Sequence, residues 1–230
     1  MQKSKLDTQS RGIDHIALFT NDVGATQSVI EKELKVTFAD GGGHPSMGTI
    51  NRLLSFGERS YLEVVGPAKG APAGALARKI AEFTPEPELL MFAVETDNAP
   101  ELADQFRQKG WELSFWEEER LRPDGELLKY RGFSFLNHPW GGLLPFFIDW
   151  QASPQPGITS PGGVTLSLAA CTTDPWGLQA VYDALAINVS VRLGNKSFLY
   201  AEIRSDLGSM VLHGAAETYA KFGKLAELED

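Results

Sequence analysis

Several things are scarce in this sequence, and each scarcity removes a class of function. Basic residues are outnumbered, with 21 Lys and Arg against 30 Asp and Glu, giving a formal net charge of −9. No block of basic residues occurs anywhere, so no nucleic-acid or anionic-membrane partner is expected, because phosphate backbones require clustered Lys and Arg. Cysteine is nearly missing. Cys171 stands alone, which excludes an internal disulfide and fits a reducing compartment; a cytoplasmic location is expected. Long apolar runs are absent too: Leu143–Ile148 is among the longest and is far too short to span a bilayer. The opening stretch, Met1 to Arg11, is polar and predicts no cleaved leader. The chain has no P-loop, no G-x-G-x-x-G, no H-E-x-x-H and no C-x-x-C.

What is present is an ordinary globular composition, 43% hydrophobic and 22% charged over 230 residues, enough for one large domain or two small ones. Alternation and β-formers predict a strand at Ile13–Thr20. Asn21 or Asp22 can cap a helix over Gly24–Leu34 with an apolar stripe of Val29, Ile30 and Leu34. A strand near Val36–Ala39, a glycine-rich loop (Gly41-Gly42-Gly43-His44-Pro45) and strands at Thr49–Phe56 and Tyr61–Val65 follow. The Gly- and Pro-rich stretch Pro67–Pro87 reads as a linker holding one short helix. The order then restarts: a strand at Leu89–Thr96, a helix at Ala99–Lys109 capped by Asn98, and strands at Glu112–Glu117, Leu127–Phe135 and Leu144–Trp150. A third pass begins at Val164–Cys171, with a helix from Asp174-Pro175 to Leu185 and three more strands ending at His213.

The expected fold class is therefore α+β: repeated βαβββ units forming curved mixed sheets around a central pocket. The units span residues 12–66, 89–150 and 164–214, with a linker at 67–88. One such unit leaves a sheet face bare, and two units can close their bare faces around a shared hollow. The third can cover an edge or serve a homodimer.

Strand alternation sets His15, Ala17 and Phe19 on one face, and Tyr61, Glu63 and Val65 on another. Both faces of Tyr61–Val65 are otherwise apolar, so Glu63 must be paired, protonated or bound to a cation. One reading makes His15 and Glu63 ligands of a divalent cation, with His44 or water completing the shell; iron or Zn²⁺ suits two imidazoles and a carboxylate. The other pairs Glu63 with Arg52 or His15 as a structural contact. Asn51 and Arg52 can offer donors to an oxygen-rich ligand, or form an ordinary edge pair. Glu95 is a candidate base or third ligand, or a surface residue at a strand end. Arg131 can neutralise an anionic substrate or form a plain salt bridge. Phe133, Phe135, Phe146, Phe147 and Trp150 suit a pocket wall or a core equally. His138 falls in a turn, His213 ends a strand and is expected to pack, and Cys171 has no activating neighbour in sequence.

Asp14-His15-Ile16-Ala17-Leu18, Tyr61-Leu62-Glu63-Val64-Val65, the loop from Gly43 to Asn51 and the ending Leu144–Trp150 together resemble the vicinal-oxygen-chelate superfamily and its glyoxalase-like domains. The resemblance covers residues 12–150 and extends loosely to 214. It implies one metal ligand from the first strand and one from the last strand of each module, here His15 and Glu63, with Glu63 also the catalytic group. In the second module those positions fall on Met91 and Phe147. The cofactor implied is a divalent metal (Zn, Fe, Mn or Ni). The activity implied is lyase, isomerase or dioxygenase chemistry on a small oxygenated metabolite; relatives that bind or sequester a small molecule without metal supply the alternative.

Overall fold

The computed structural model describes residues 11–57, 59–70 and 74–222. The polar opening residues up to position 10, the middle of the linker and Glu58 in the expected turn lie outside them. The first unit consists of β1 (Ile13–Phe19), α1 (Val23–Leu34), β2 (Ala39–His44), β3 (Thr49–Gly57) and β4 (Ser60–Pro67). After α2 (Ala75–Phe83), the second unit has β5 (Glu88–Glu95), α3 (Ala99–Gln108), β6 (Leu113–Leu121), β7 (Leu127–Phe135) and β8 (Phe146–Asp149). A short α4 (Pro156–Thr159) leads to β9 (Val164–Thr172), α5 (Pro175–Leu185), β10 (Ser190–Leu193), β11 (Phe198–Ser205), β12 (Ser209–Ala215) and α6 (Ala216–Phe222).

The helices start where short polar side chains can accept an otherwise unpaired backbone N–H. Asp22 accepts from Ala25 at 3.0 Å, Asn98 from Glu101 at 3.3 Å, and Asp174 from Gly177 at 2.9 Å. Helix α1 buries Val23, Thr26, Ile30 and Leu34. The expected stripe is corrected at one place: Val29 is 56% exposed, because the 3.6-residue period carries the buried face from Thr26 to Ile30.

The first eight strands close into a barrel in the order β1-β4-β3-β2-β6-β7-β8-β5. Each unit contributes its strands in the sense first, last, third, second, so the two four-stranded halves meet edge to edge. One seam is long: β1 runs antiparallel to β5 with registered pairs from Ile13↔Val94 to Phe19↔Glu88. The other is closed by a single registered pair, Gly43↔Leu121, between β2 and β6.

That second seam overturns part of the sequence reading. The expected strand near Val36–Ala39 and the glycine-rich loop are displaced: the strand is Ala39–His44, and the glycines lie inside it. The reason is crowding. A Cβ on Gly41 would lie 2.1 Å from Asn51 Oδ1, and one on Gly42 would lie 2.6 Å from the Leu121 carbonyl oxygen. Gly42 also has φ +94°, at a register irregularity in the β2–β3 pairing. Here glycine marks close backbone approach rather than a turn.

The third unit repeats the element order but not the pairing. Its sheet runs β10-β9-β11-β12, so its first strand lies beside the second and third rather than the last. It forms a wall. Leu168, Ala170, Leu199, Ala201, Ile203 and Leu212 share one apolar core with Ile16, Leu18, Leu89 and Phe92 from the outer side of the barrel. The approach is close enough that a Cβ on Gly214 would lie 2.1 Å from the Leu89 carbonyl oxygen. Among the described residues, no helix is long and apolar enough to cross a membrane.

Candidate functional site

The barrel encloses a cavity of about 330 Å³. The parallel register of β1 and β4 orders its walls: His15 pairs with Tyr61 at one end, Ala17 with Glu63 in the middle, and Phe19 with Val65 at the other end. The Phe19 end is apolar, lined by Leu76 of α2 together with Met47 and Met91. Polar groups gather toward His15.

Asp14 anchors that end. It is completely buried and collects three donors: His15 Nδ1 at 2.5 Å, Trp150 Nε1 at 2.8 Å and Gln155 Nε2 at 3.0 Å. A register irregularity between Ile13 and His15 falls on this residue. With Asp14 ionised, Nδ1 carries the proton, and the neutral imidazole presents an unprotonated Nε2. Tyr61 stacks on the ring with centroids 4.8 Å apart, and Phe146 meets it edge-on at 5.3 Å. The orientation of His15 is thus fixed by a stacked ring, an edge-on ring and the bond to Asp14.

Nε2 lies 3.8 Å from Glu63 Oε2. The other Glu63 oxygen accepts from the Asn51 amide and lies 4.0 Å from Arg120 Nη1. Burial by itself would raise the Glu63 carboxyl; electrostatic interaction with His15, His44 and Arg120 and the Asn51 hydrogen bond outweigh it and hold the carboxyl below its ordinary value. His44, whose Nδ1 is 3.2 Å from the Thr49 hydroxyl, is pushed down to about 4 by burial, although Glu63 pulls the other way. Burial raises the Tyr61 and Tyr130 phenols, so both stay neutral and able to donate.

Of the residues singled out in the sequence, His15, His44 and Glu63 line the cavity, and Asn51 stands behind Glu63 as its donor. Three others are placed elsewhere. Arg52 points from the opposite face of β3 and binds Asp40 at 3.0 Å and Gln27 at 3.2 Å, because adjacent strand residues face opposite ways. Arg131 is held at 2.8 Å by Asp149, which also accepts from the backbone of Ala99 and Gln151. Glu95, at the end of β5, pairs with Arg59 outside the cavity. Phe147 likewise points outward, stacked on Phe133 at 5.0 Å in the main core with Phe135. The cavity face of β8 carries Phe146 and Ile148, with Trp150 just beyond it. His138 Nδ1 accepts from the Trp140 N–H within its turn, His213 is exposed rather than packed, and burial raises the Cys171 thiol.

Two charged lining residues escaped the sequence reading, Glu118 and Arg120. The run Glu117-Glu118-Glu119-Arg120 looks like a solvated strand end. The available signal was alternation: Ser114, Trp116, Glu118 and Arg120 lie two apart along β6 and all line the cavity.

The expected divalent-metal centre does not fit these residues. Among the described residues, no three His, Cys, Asp or Glu side chains converge closely enough to share an ion. A guanidinium, that of Arg120, already stands 4.0 Å from Glu63 and supplies the positive charge beside it.

A family model described as "Glyoxalase-like domain" matches residues 13–185. No curated protein matches the chain. Among solved structures, a hypothetical protein from Staphylococcus aureus superposes with a TM-score of 0.62 at 12% identity, over 88% of this chain and 85% of that one. Methylmalonyl-CoA epimerase from Streptomyces coelicolor gives 0.45 at 21% identity, over 63% and 98%. The epimerase from Mycobacterium tuberculosis gives 0.46 at 15% identity, over 66% and 95%.

Proposed function

Because the chain belongs to the glyoxalase-like domain family, and its barrel surrounds an oriented imidazole, we propose that it is an acid–base enzyme of isomerase or lyase type. Its substrate is a small, mainly apolar molecule with an oxygen function. The observation that carries this reading is the buried Asp14–His15 pair, whose free Nε2 lies 3.8 Å from Glu63. Asp14 fixes the tautomer and stabilises the imidazolium that forms when Nε2 takes a proton. Glu63, kept ionised by its neighbours, stabilises the same cation from the other side. In the step this supports, a C–H bond next to a carbonyl breaks and the proton passes to Nε2. The electron pair moves to the carbonyl oxygen, for which the neutral Tyr61 and Tyr130 hydroxyls are donors. Return of the proton gives an isomer; departure of a group from the adjacent carbon gives a lyase product. No step of this reading passes through a metal.

A second reading, a protein that binds or sequesters a small molecule, draws support from the lowered Glu63 carboxyl, which makes that residue a weak base. Deuterium exchange separates the two. The protein is incubated in D₂O with small 2-oxo acids, hydroxyketones and thioesters, and carbon-bound deuterium is followed by NMR. Enzyme function predicts catalysed exchange that survives chelation and falls by about 10²–10⁴-fold in His15→Gln. Saturable binding with no exchange in any compound would establish the binding reading instead.

A further inference from the structure

Arg120 is 3% exposed, and among the described residues it makes no hydrogen bond through its buried Nε. Its nearest carboxylate oxygen, on Glu63, is 4.0 Å away, an ion-pair distance but not a hydrogen bond, and its buried Nε has no partner. A guanidinium carries five N–H donors in a planar fork, and buried donors without acceptors are strongly disfavoured. The head of this side chain faces the cavity: Glu63, His44, Tyr61 and Tyr130, which all line it, each feel its charge. An acceptor for this fork must come from whatever fills the barrel.

We infer that Arg120 receives the carboxylate of the ligand, so that the cavity takes a small monocarboxylic acid with an apolar body. This names the ligand class of the site proposed above and rests on that cavity being the binding site. Arg matches a carboxylate through two parallel N–H···O bonds. The adjacent Glu63 charge disfavours a doubly charged phosphate at the same place. Phe19, Val65, Leu76, Met47, Met91 and Phe115 offer the ligand's body an apolar surface, with Ser114 and Glu118 the polar lining residues on the strand of Arg120. At about 330 Å³ the volume falls at the lower end of the range for small-molecule sites, roughly 300–1,000 Å³, and suits a body of about one ring.

Trp116 and Trp150 line the cavity, so intrinsic fluorescence reports occupancy directly. The probes are hydrocinnamate, its neutral amide and phenyl phosphate, titrated into the full chain. The expected result is saturable quenching by hydrocinnamate, about tenfold or more tighter than by the amide, with phenyl phosphate weaker than the acid. Arg120→Gln removes the preference for acid over amide, and Arg120→Lys, which keeps the charge but not the fork, reduces it. Circular dichroism checks the fold of each variant, and if Arg120→Gln fails to fold, the lysine variant decides alone. Equal binding of acid and amide, preference for the phosphate, no saturable response, or an undiminished preference in Arg120→Lys would overturn the assignment. The titration reads binding and not turnover, so a protein that binds acids but exchanges no deuterium retains this inference and loses the enzymatic one.

Discussion

Glu63 shares its charge among Asn51, His15 and Arg120, whereas Arg120 has Glu63 as its carboxylate within 4.0 Å. Breaking a buried ion pair from one side strands a charge, which typically costs about 3–5 kcal/mol. Glu63→Gln is therefore expected to lose stability on that scale, measured by urea unfolding, because Arg120 remains buried without its counter-charge. The double variant Glu63→Gln with Arg120→Met should recover much of the loss; no recovery would show that the pair is not energetically coupled. Acid acts on the same cluster. Folding lowers the His44 value to about 4 from 6.5, so between those limits the unfolded chain binds the extra proton and stability falls as pH drops. Glu63 is also lowered by folding, so its contribution is present above its ordinary value of 4.5 and disappears as pH falls through the folded one. Urea midpoints from pH 7 to pH 4 should decline, and His44→Gln should flatten the upper part of that slope. At this scale the sequence was half legible. Alternation set His15 and Glu63 on inward faces, but Asp14 meets Trp150 and Gln155 across 136 and 141 residues, a closure no local pattern encodes. Arg120 lies beyond the strand expected at Glu112–Glu117, on the part of β6 that the sequence reading left out.

Among the elements, the three helices with polar caps announced themselves, whereas α4, α6 and one strand did not. Asp22, Asn98 and Asp174 cap where a short polar side chain before an apolar period predicts a start. Strand β2 has glycine at three of its six positions, so propensity argued against it. Its selection is steric, imposed by Asn51 and the Leu121 backbone, partners that only the closed barrel brings near. Gly42→Ala tests this. Forcing a Cβ at φ +94° and 2.6 Å from a carbonyl should destabilise the fold by roughly 1–3 kcal/mol or more, read from denaturant midpoints. An unchanged midpoint would mean that β2 is not tightly packed. Strand β8 shows the opposite difficulty. Leu144–Trp150 is nearly all apolar, so alternation could not tell which residues face inward, and a one-residue slip put Phe147 where Phe146 and Ile148 stand.

For the molecule as a whole, element order was legible and pairing was not. The third pass through β-α-β-β-β yields a sheet with another strand order, because it packs against a barrel already closed rather than joining one. Its contribution is to cover the apolar outer side of β1 and β5, and it adds no residue to the cavity wall. Gly214→Val should then separate stability from binding. The added side chain meets the Leu89 backbone and should lower the melting temperature by roughly 4–8 °C for a loss of about 2 kcal/mol. Hydrocinnamate affinity of the folded protein should stay as it was; a parallel loss of affinity would tie the outer wall to the pocket. The two closures of the barrel are also unequal. Parting β1 from β5 means unzipping a strand along its whole length, whereas parting β2 from β6 undoes the rung at Gly43 and Leu121. The molecule is hinged on one side and latched on the other. The latch is flanked by His44 and Arg120, so losing that single rung would uncover an uncharged ring and a cation that otherwise face the interior.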